Sequence, residues 1–269
     1  MRPLPKFDYH EPGSLKEAAA LLAASEGQGM IIGGGTDLVP SMRQGLFTPA
    51  TVISLQAVSG LDRISWDNNE LHLGPQVKLH DLERDAEVAR LFPIVTEAAH
   101  AVAAPHLRRM ATVAGNLCLD TRCWYYNQYE DWQACDDPCL RLGGEFCKAV
   151  PRARKCFATF SADLAPALVA LGARITLTSA RGERTIELAD FYSGDGAAPQ
   201  AKEDGEIVSG ILVPGEKAGF RGAYRKFRIR GAIDYPIAGV AAGSGLIEAE
   251  RHRAGGGEGD IRTARGQGA

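Results

Sequence analysis

Apolar positions along the chain come in short runs set off by turn residues. Ser14-Leu15-Lys16-Glu17 has the form of a capping box, in which Ser and Glu three apart satisfy first-turn donors, and it opens an Ala/Leu-rich helix running to about Ser25. A short apolar strand, Met30-Ile31-Ile32, runs into Gly33-Gly34-Gly35-Thr36-Asp37-Leu38, and the β-branched stretch Thr51–Leu55 predicts another strand. Arg63–Trp66 and Glu70–Leu73 flank Asp67-Asn68-Asn69 and predict a hairpin. Residues 79–103 carry helical periodicity, broken by Pro93 and ended near Pro105. Asp163–Leu171 predicts a helix closing at Gly172, followed by strands at Arg174–Ser179 and Arg184–Leu188 and again near 206–213 and 219–229. Helices and strands are thus mixed through one unit, with a boundary near 50–55.

Length and composition narrow the class. The 269 residues suit one large or two small domains at about 150 residues each. Hydrophobic residues at 45 % and charged residues at 23 % are ordinary for a folded globular chain. A net charge of −3 gives no electrostatic case for nucleic acid. No run of 18 apolar residues predicts a membrane span, and Met1–Lys6 lacks the apolar stretch of a secretory signal, so a cytoplasmic protein is expected. From Gly243 onward the chain is Gly- and Arg-rich, and residues after about 250 are expected to be weakly ordered.

The cysteines change the picture. All six, Cys118, Cys123, Cys135, Cys139, Cys147 and Cys156, fall within 39 residues. The surrounding stretch, 118–158, lacks regular periodicity and reads as an insert ordered by something other than apolar packing. Clustered thiols in a cytosolic chain point to metal or redox chemistry, because thiolates bind zinc and iron–sulfur clusters. No C-x₂-C knuckle is present, so zinc, a cluster held by widely spaced cysteines and free buried thiols all stand on the residues alone. Disulfides would require export.

Two small-residue segments suit phosphate. Gly33-Gly34-Gly35 lets the backbone approach a ligand and converge its N–H groups on phosphate oxygens. Neither a Rossmann fingerprint nor a P-loop is present. Ala111–Asn116 is a second tight turn, in which Thr112 and Asn116 are candidate hydrogen-bonding groups. Arg225–Arg230 alternates basic residues as an amphipathic strand does, and one of its cations, Lys226, is a candidate to neutralise a diphosphate. No Ser/His/Asp set or paired carboxylates stand out, so no catalytic residue is assigned.

In their order and spacing these segments resemble the flavin-binding subunits of the molybdenum hydroxylases, over about residues 4–243. Ile32-Gly33-Gly34-Gly35-Thr36-Asp37-Leu38 is similar to the family's first FAD diphosphate loop, and Thr112-Val113-Ala114-Gly115-Asn116-Leu117 to its second, usually Thr-x-Gly-Gly-Asn. Ser161-Ala162-Asp163-Leu164-Ala165-Pro166 is similar to an Asp-Leu element near the flavin. The resemblance implies an α+β, two-subdomain FAD-binding fold of the molybdopterin dehydrogenase (PCMH/vanillyl-alcohol-oxidase-like) type. It divides the chain into 1–55, 56–230 with the insert 118–158, and a remnant of the C-terminal subdomain at 231–269. FAD would be bound by Ile32, Gly33, Gly34, Gly35, Thr36, Asp37, Leu38, Thr112, Ala114, Gly115, Asn116, Asp163 and Lys226.

Asn116 and Asp163 lie 47 positions apart, where most of the family has only a few residues between these motifs. The insertion resembles that of the 4-hydroxybenzoyl-CoA reductase β subunit. That resemblance implies a [4Fe–4S] cluster on Cys123, Cys139, Cys147 and Cys156, at gaps of 16, 8 and 9, with Cys118 and Cys135 as bystanders. It further implies an electron-transfer subunit in anaerobic aromatic degradation. Ferredoxin would supply electrons through [4Fe–4S] and FAD to a small subunit with two [2Fe–2S] centres and a molybdopterin-binding large subunit, in a heterotrimer that is itself doubled. A flavin subunit of another molybdenum hydroxylase and a zinc-stabilised binding module are the rival readings. Three further expectations concern particular positions. The Ala114 methyl group would crowd the phosphate loop; Gly34→Val would block backbone approach to FAD; and an atypical C-terminus would leave apolar surface exposed around Ile237–Leu246.

Overall fold

The computed structural model describes residues 3–244. The chain opens with β1 (Asp8–His10), α1 (Leu15–Ala24), β2 (Gly29–Ile32), α2 (Leu38–Gln44) and β3 (Thr51–Ser54). The strands form a parallel sheet in the order β1-β3-β2. Side chains alternate across a strand, so Val52 joins Leu38 and Met42 of α2 while Ile53 joins Ala18 and Ala19 of α1. The sheet is thereby sealed on both faces. Ser14 Oγ accepts from Glu17 N–H at 3.2 Å, and Glu17 Oε2 accepts from Gly13 N–H at 2.9 Å, so the capping reciprocity reaches one residue upstream of the cap. Strand β1 has no apolar pattern to announce it; only its pairing with β3 defines it.

β4 (Ile64–Asp67) and β5 (Glu70–Leu73) form the expected hairpin, with Asn68 and Asn69 both at positive φ, 48° and 61°, as a type I′ turn requires. Residues 79–103 differ from the expectation of one helix broken at a proline. They form α3 (Leu79–Leu82), α4 (Ala86–Leu91) and α5 (Pro93–Ala101), followed by α6 (Pro105–Arg108). Asp85 Oδ1 accepts from the N–H groups of Glu87 and Val88 and restarts the chain as α4. Pro93 begins α5 rather than ending a helix, because its missing N–H is one that a first turn leaves unpaired anyway.

The remaining elements are α7 (Val113–Leu117), α8 (Glu130–Gln133), α9 (Leu164–Ala170), β6 (Arg174–Ser179), β7 (Gly182–Glu187), β8 (Ile207–Pro214), β9 (Arg221–Phe227) and β10 (Ala238–Ser244). A five-stranded antiparallel sheet runs β4-β5-β8-β6-β7. Leu73, Ile175 and Ile211 from this sheet meet Phe92, Ile94, Leu168 and Phe191 in the main core. Strands β9 and β10 pair as a separate hairpin that inserts Tyr224 and Ala241 into the same core. Its other face leaves Phe227, Ile237 and Val240 exposed, while Leu246 and the Gly/Arg-rich tail lie outside the described residues.

One approach of backbone to backbone aligns the two halves. Residues 111–113 are tied to 77–79 by Leu79 N–H to Ala111 O and Val113 N–H to Val77 O. Upstream, Arg108 holds the Val102 carbonyl at 2.9 Å through Nη1, and its Nε lies 2.9 Å from Glu83 Oε2, as an ion pair rather than a linear hydrogen bond. Against this braced segment stands Gly34: a Cβ there would lie 1.8 Å from Met110 O. The glycine is therefore required by the meeting of the two loops. A side chain at Gly34 would thus disturb the protein itself, whether or not a ligand is bound.

Gly34→Ala should accordingly destabilise the protein at or above the about 1–3 kcal/mol usual for overpacking, read as a lower urea midpoint with no ligand present. Burial alone would raise the Glu83 pKa, but Arg108 and His100 outweigh it and hold the carboxyl below its ordinary value. Because the folded-state value is depressed, the stabilisation is present above that ordinary value and lost as pH falls below it. Glu83→Ala should cost about 3 kcal/mol at neutral pH, and the gap from wild type should narrow in acid, as measured by denaturation at several pH values.

Candidate functional site

Between the glycine run, the start of α7 and the β9–β10 connection lies a cavity of about 420 Å³, the size of a small-molecule or cofactor site. Gly33, Gly34, Gly35, Thr36, Asp37 and Leu38 form one wall, Thr112, Gly115 and Asn116 a second, and Asp163 and Lys226 border it from α9 and β9. Two of the predicted residues stand outside. Ile32 packs against the cluster of Leu38, Met42 and Val52, and Ala114 packs on the main core with its N–H given to Pro75 O. The Ala114 methyl group is thus not among the groups lining the cavity.

The walls are built for an anion and a polar chain. Among the described residues, no protein acceptor meets the N–H groups of Gly34, Gly35 and Thr36. Unpaired backbone donors facing a cavity are the standard means of holding phosphate oxygens. The second segment is a short helix rather than a bare turn. Thr112 Oγ1 caps it by accepting from Gly115 N–H at 3.1 Å, and Asn116 Oδ1 accepts from Leu164 N–H at 3.1 Å, capping α9 in place of Asp163. Both side-chain oxygens therefore position the wall.

Charged clusters surround the cavity, one of them the Asp234–Arg230 pair of the β9–β10 connection. Lys226 Nζ donates to Asp163 Oδ2 at 2.8 Å and to Ala101 O at 3.1 Å, and Tyr224 Oη donates to Asp163 Oδ1 at 2.6 Å. Burial pushes the Asp163 carboxyl up and the Lys226 ammonium down, and their contact offsets part of each shift. Lys226 is thus not an uncommitted cation, since Asp163 already neutralises it. On the opposite wall Asp37 accepts from Arg122 and from Tyr235 Oη, and Arg122 Nη2 also reaches Tyr235 Oη at 3.1 Å. Burial pushes the Asp37 carboxyl up, with Arg122 the main counterweight. Asp120 also lines the cavity and pairs with Arg141 at 2.6 Å.

A second, much smaller cavity of about 10 Å³ lies within the insert and is bordered by Cys123, Cys139, Cys147 and Cys156, with Tyr126 and Arg141 beside them. All six cysteines are free thiols. Cys118 lines the large cavity instead, and Cys135 is exposed, its Sγ donating to Asp131 O. Turns and polar contacts shape the insert. Asn127 Oδ1 accepts from Cys123 N–H, Cys139 O accepts from Leu142 and Gly144 N–H, and Gly196 N–H donates to Cys156 O. Burial pushes the Cys156 thiol up, and Ala158 N–H donates to its Sγ at 3.4 Å. Among the described residues no group of three or more His, Cys, Asp or Glu side chains is arranged to hold a metal, and no helix is long and apolar enough to cross a membrane.

Asp120, Arg122, Arg141 and Tyr235 escaped the sequence reading. Only the position of Arg122, directly before Cys123 and six residues after Asn116, hinted that a cation from the insert returns to the glycine loop.

Comparison with known proteins agrees with this geometry. Residues 5–216 match the family described as FAD binding domain in molybdopterin dehydrogenase. The chain is 33 % identical over 262 residues to the aldehyde oxidoreductase FAD-binding subunit PaoB of Escherichia coli, covering 90 % of this chain and 80 % of that protein. It is 28 % identical over 235 residues to the carbon monoxide dehydrogenase medium chain of Afipia carboxidovorans, covering 87 % and 67 %. A structure of reconstituted CO dehydrogenase from Oligotropha carboxidovorans superposes with a TM-score of 0.71 at 26 % identity, covering 91 % of this chain and 72 % of that one. The fold class expected from the sequence is thereby shown, and the chain belongs to the FAD-binding subunits of the molybdenum hydroxylase family.

Proposed function

We propose that this chain is an electron-transfer subunit carrying FAD in the large cavity and a [4Fe–4S] cluster in the insert. The observation that carries the second half is the sorting of the cysteines: the four at gaps of 16, 8 and 9 border one cavity, and the other two lie elsewhere. Four thiols bordering one cavity suit iron–sulfur ligation and zinc alike, and among the described residues no group stands preformed for either. The cavity holds about one water-sized sphere, so taking up a cluster requires the four turns that carry the thiols to spread. When bound, FAD and the cluster would supply the electron exchange. The chain's own tasks are to cradle the diphosphate on Gly34, Gly35 and Thr36, keep Asp37 neutralised, and exclude water from both sites.

In this reading residues 1–55 and 56–230 are the two FAD-binding subdomains, with the insert at 118–158, and 231–269 belongs to a third. The partners are a molybdopterin-binding large subunit, a small subunit with two [2Fe–2S] centres and ferredoxin, all in the cytoplasm. For the substrate of the whole enzyme, the spacing of the insert supports 4-hydroxybenzoyl-CoA, reduced to benzoyl-CoA. A second reading, an aldehyde, is favoured by the 33 % identity to an aldehyde oxidoreductase subunit. Turnover of 4-hydroxybenzoyl-CoA with a low-potential reductant, against turnover of aromatic aldehydes with an oxidant, separates the two.

Protein expressed with its partners and purified without oxygen should contain about four irons, four acid-labile sulfides and one FAD per chain; FAD without iron would remove the cluster from the proposal, and zinc would replace it. Arg122→Gln should raise the Kd for FAD about tenfold in fluorescence titration, because Asp37 would face the diphosphate without its cation. The Asp37 carboxyl is already raised, so the defect should shrink as pH falls through its titration and the repelling charge is lost.

A further inference from the structure

Arg141 stands between the two cavities. Its side chain is only 9 % exposed, and its guanidinium carbon lies 3.9 Å from the centre of the Tyr126 ring. Nη1 donates to Thr121 Oγ1 at 2.7 Å and Nη2 to Asp120 Oδ1 at 2.6 Å. Thr121 Oγ1 donates in turn to Gly196 O at 2.7 Å, and Gly196 N–H donates to the carbonyl of Cys156 at 2.9 Å. Contacts therefore run without a break from a side chain in the flavin cavity to the backbone of a cysteine.

The pair has a direction. Arg141 borders the cysteine-lined cavity, whereas Asp120 borders the large one, where its Oδ2 is buried without a hydrogen-bond partner. A buried ion pair is a dipole, and where water is excluded its field is weakly screened. Lys148, the other cation bordering the small cavity, is 12 % exposed and pairs at 2.7 Å with Asp136, which is 63 % exposed, so it adds a positive field common to every variant at Arg141 and Asp120, while its own counter-charge lies in solvent.

We propose that the Arg141–Asp120 pair is a potential-setting element, with its positive end toward the group held by the four cysteines and its negative end toward the flavin. This rests on the reading that Cys123, Cys139, Cys147 and Cys156 hold an iron–sulfur cluster. Reduction adds one electron to that cluster and breaks no bond, so a facing cation stabilises the reduced form and raises its potential. Arg141 and Asp120 are positioning residues here, since they act through the field and the fold and not by ligation.

The test is an EPR-monitored redox titration of the full protein with its partners, with iron determined on every sample. Arg141→Gln should lower the midpoint by at least a tenfold change in the reduced-to-oxidised ratio, about 59 mV for one electron. Asp120→Asn, which leaves Arg141 uncompensated, should shift it the other way. Opposite signs are the signature, because a merely structural role would move both variants alike or neither. Shifts of the same sign, or none, with iron retained would overturn the proposal. Should Arg141→Gln lose iron, Arg141→Lys keeps the charge and must stay within about threefold of wild type while Asp120→Asn rises; a larger fall overturns it. Wild-type protein without iron would instead overturn the cluster reading beneath it.

Discussion

The structure depends on how closely two loops meet. Gly34, at the end of the strand from the small parallel sheet, lies against the Met110 carbonyl with no room for a single carbon between them. The segment that carries this carbonyl is braced on both sides. The buried Arg108–Glu83 pair fixes α6, and the exchange of hydrogen bonds between 77–79 and 111–113 fixes the segment downstream of it. Backbone against backbone is the stiffest contact a protein makes, since neither side can change rotamer to relieve a clash. The cavity walls on the two loops therefore stay in register, and the donors of the glycine run face the start of α7 across a constant gap.

Burial sets the electrostatics of the cavity. Four carboxylates, Asp37, Asp120, Asp163 and Asp234, line a site suited to a dianionic diphosphate, and unpaired they would repel it. Each is paired with a cation: Asp37 and Asp120 with Arg122 and Arg141 from the insert, Asp163 with Lys226 from β9, and Asp234 with its near neighbour Arg230. Desolvation penalises the isolated charges and favours the pairs once formed. The insert is thus electrostatically part of the flavin site. Two of the four neutralising cations belong to it.

The insert itself is organised differently from the rest of the chain. The main core is closed by Leu, Ile and Phe side chains, whereas the 118–158 stretch leaves Trp124, Tyr129, Trp132 and Phe146 exposed and shapes its thiols through turns and side-chain caps. With little apolar area to bury, such a segment gains its order from polar contacts. That accounts for four cysteines converging on one cavity without a hydrophobic nucleus beneath them.

Local patterns were enough to specify the capped helix at Ser14, the hairpin at Asn68-Asn69, the strands at 30–32, 51–54 and 174–179, the two small-residue loops and the confinement of the cysteines. Each is set by residues within a few positions of one another, so periodicity and turn chemistry suffice. Strands β1 and β10, the restart at Asp85 and the proline that opens α5 were not legible, because pairing or capping rather than apolar pattern defines them. Only the folded chain revealed that Gly34 serves a loop contact, that Ile32 and Ala114 face the core, and that Lys226 is already neutralised. The same holds for the arrival of Asp120, Arg122 and Tyr235 at the cavity. Lys226 meets Asp163 across 63 positions and Tyr235 meets Asp37 across 198. No local pattern records which distant charge a buried carboxylate will meet.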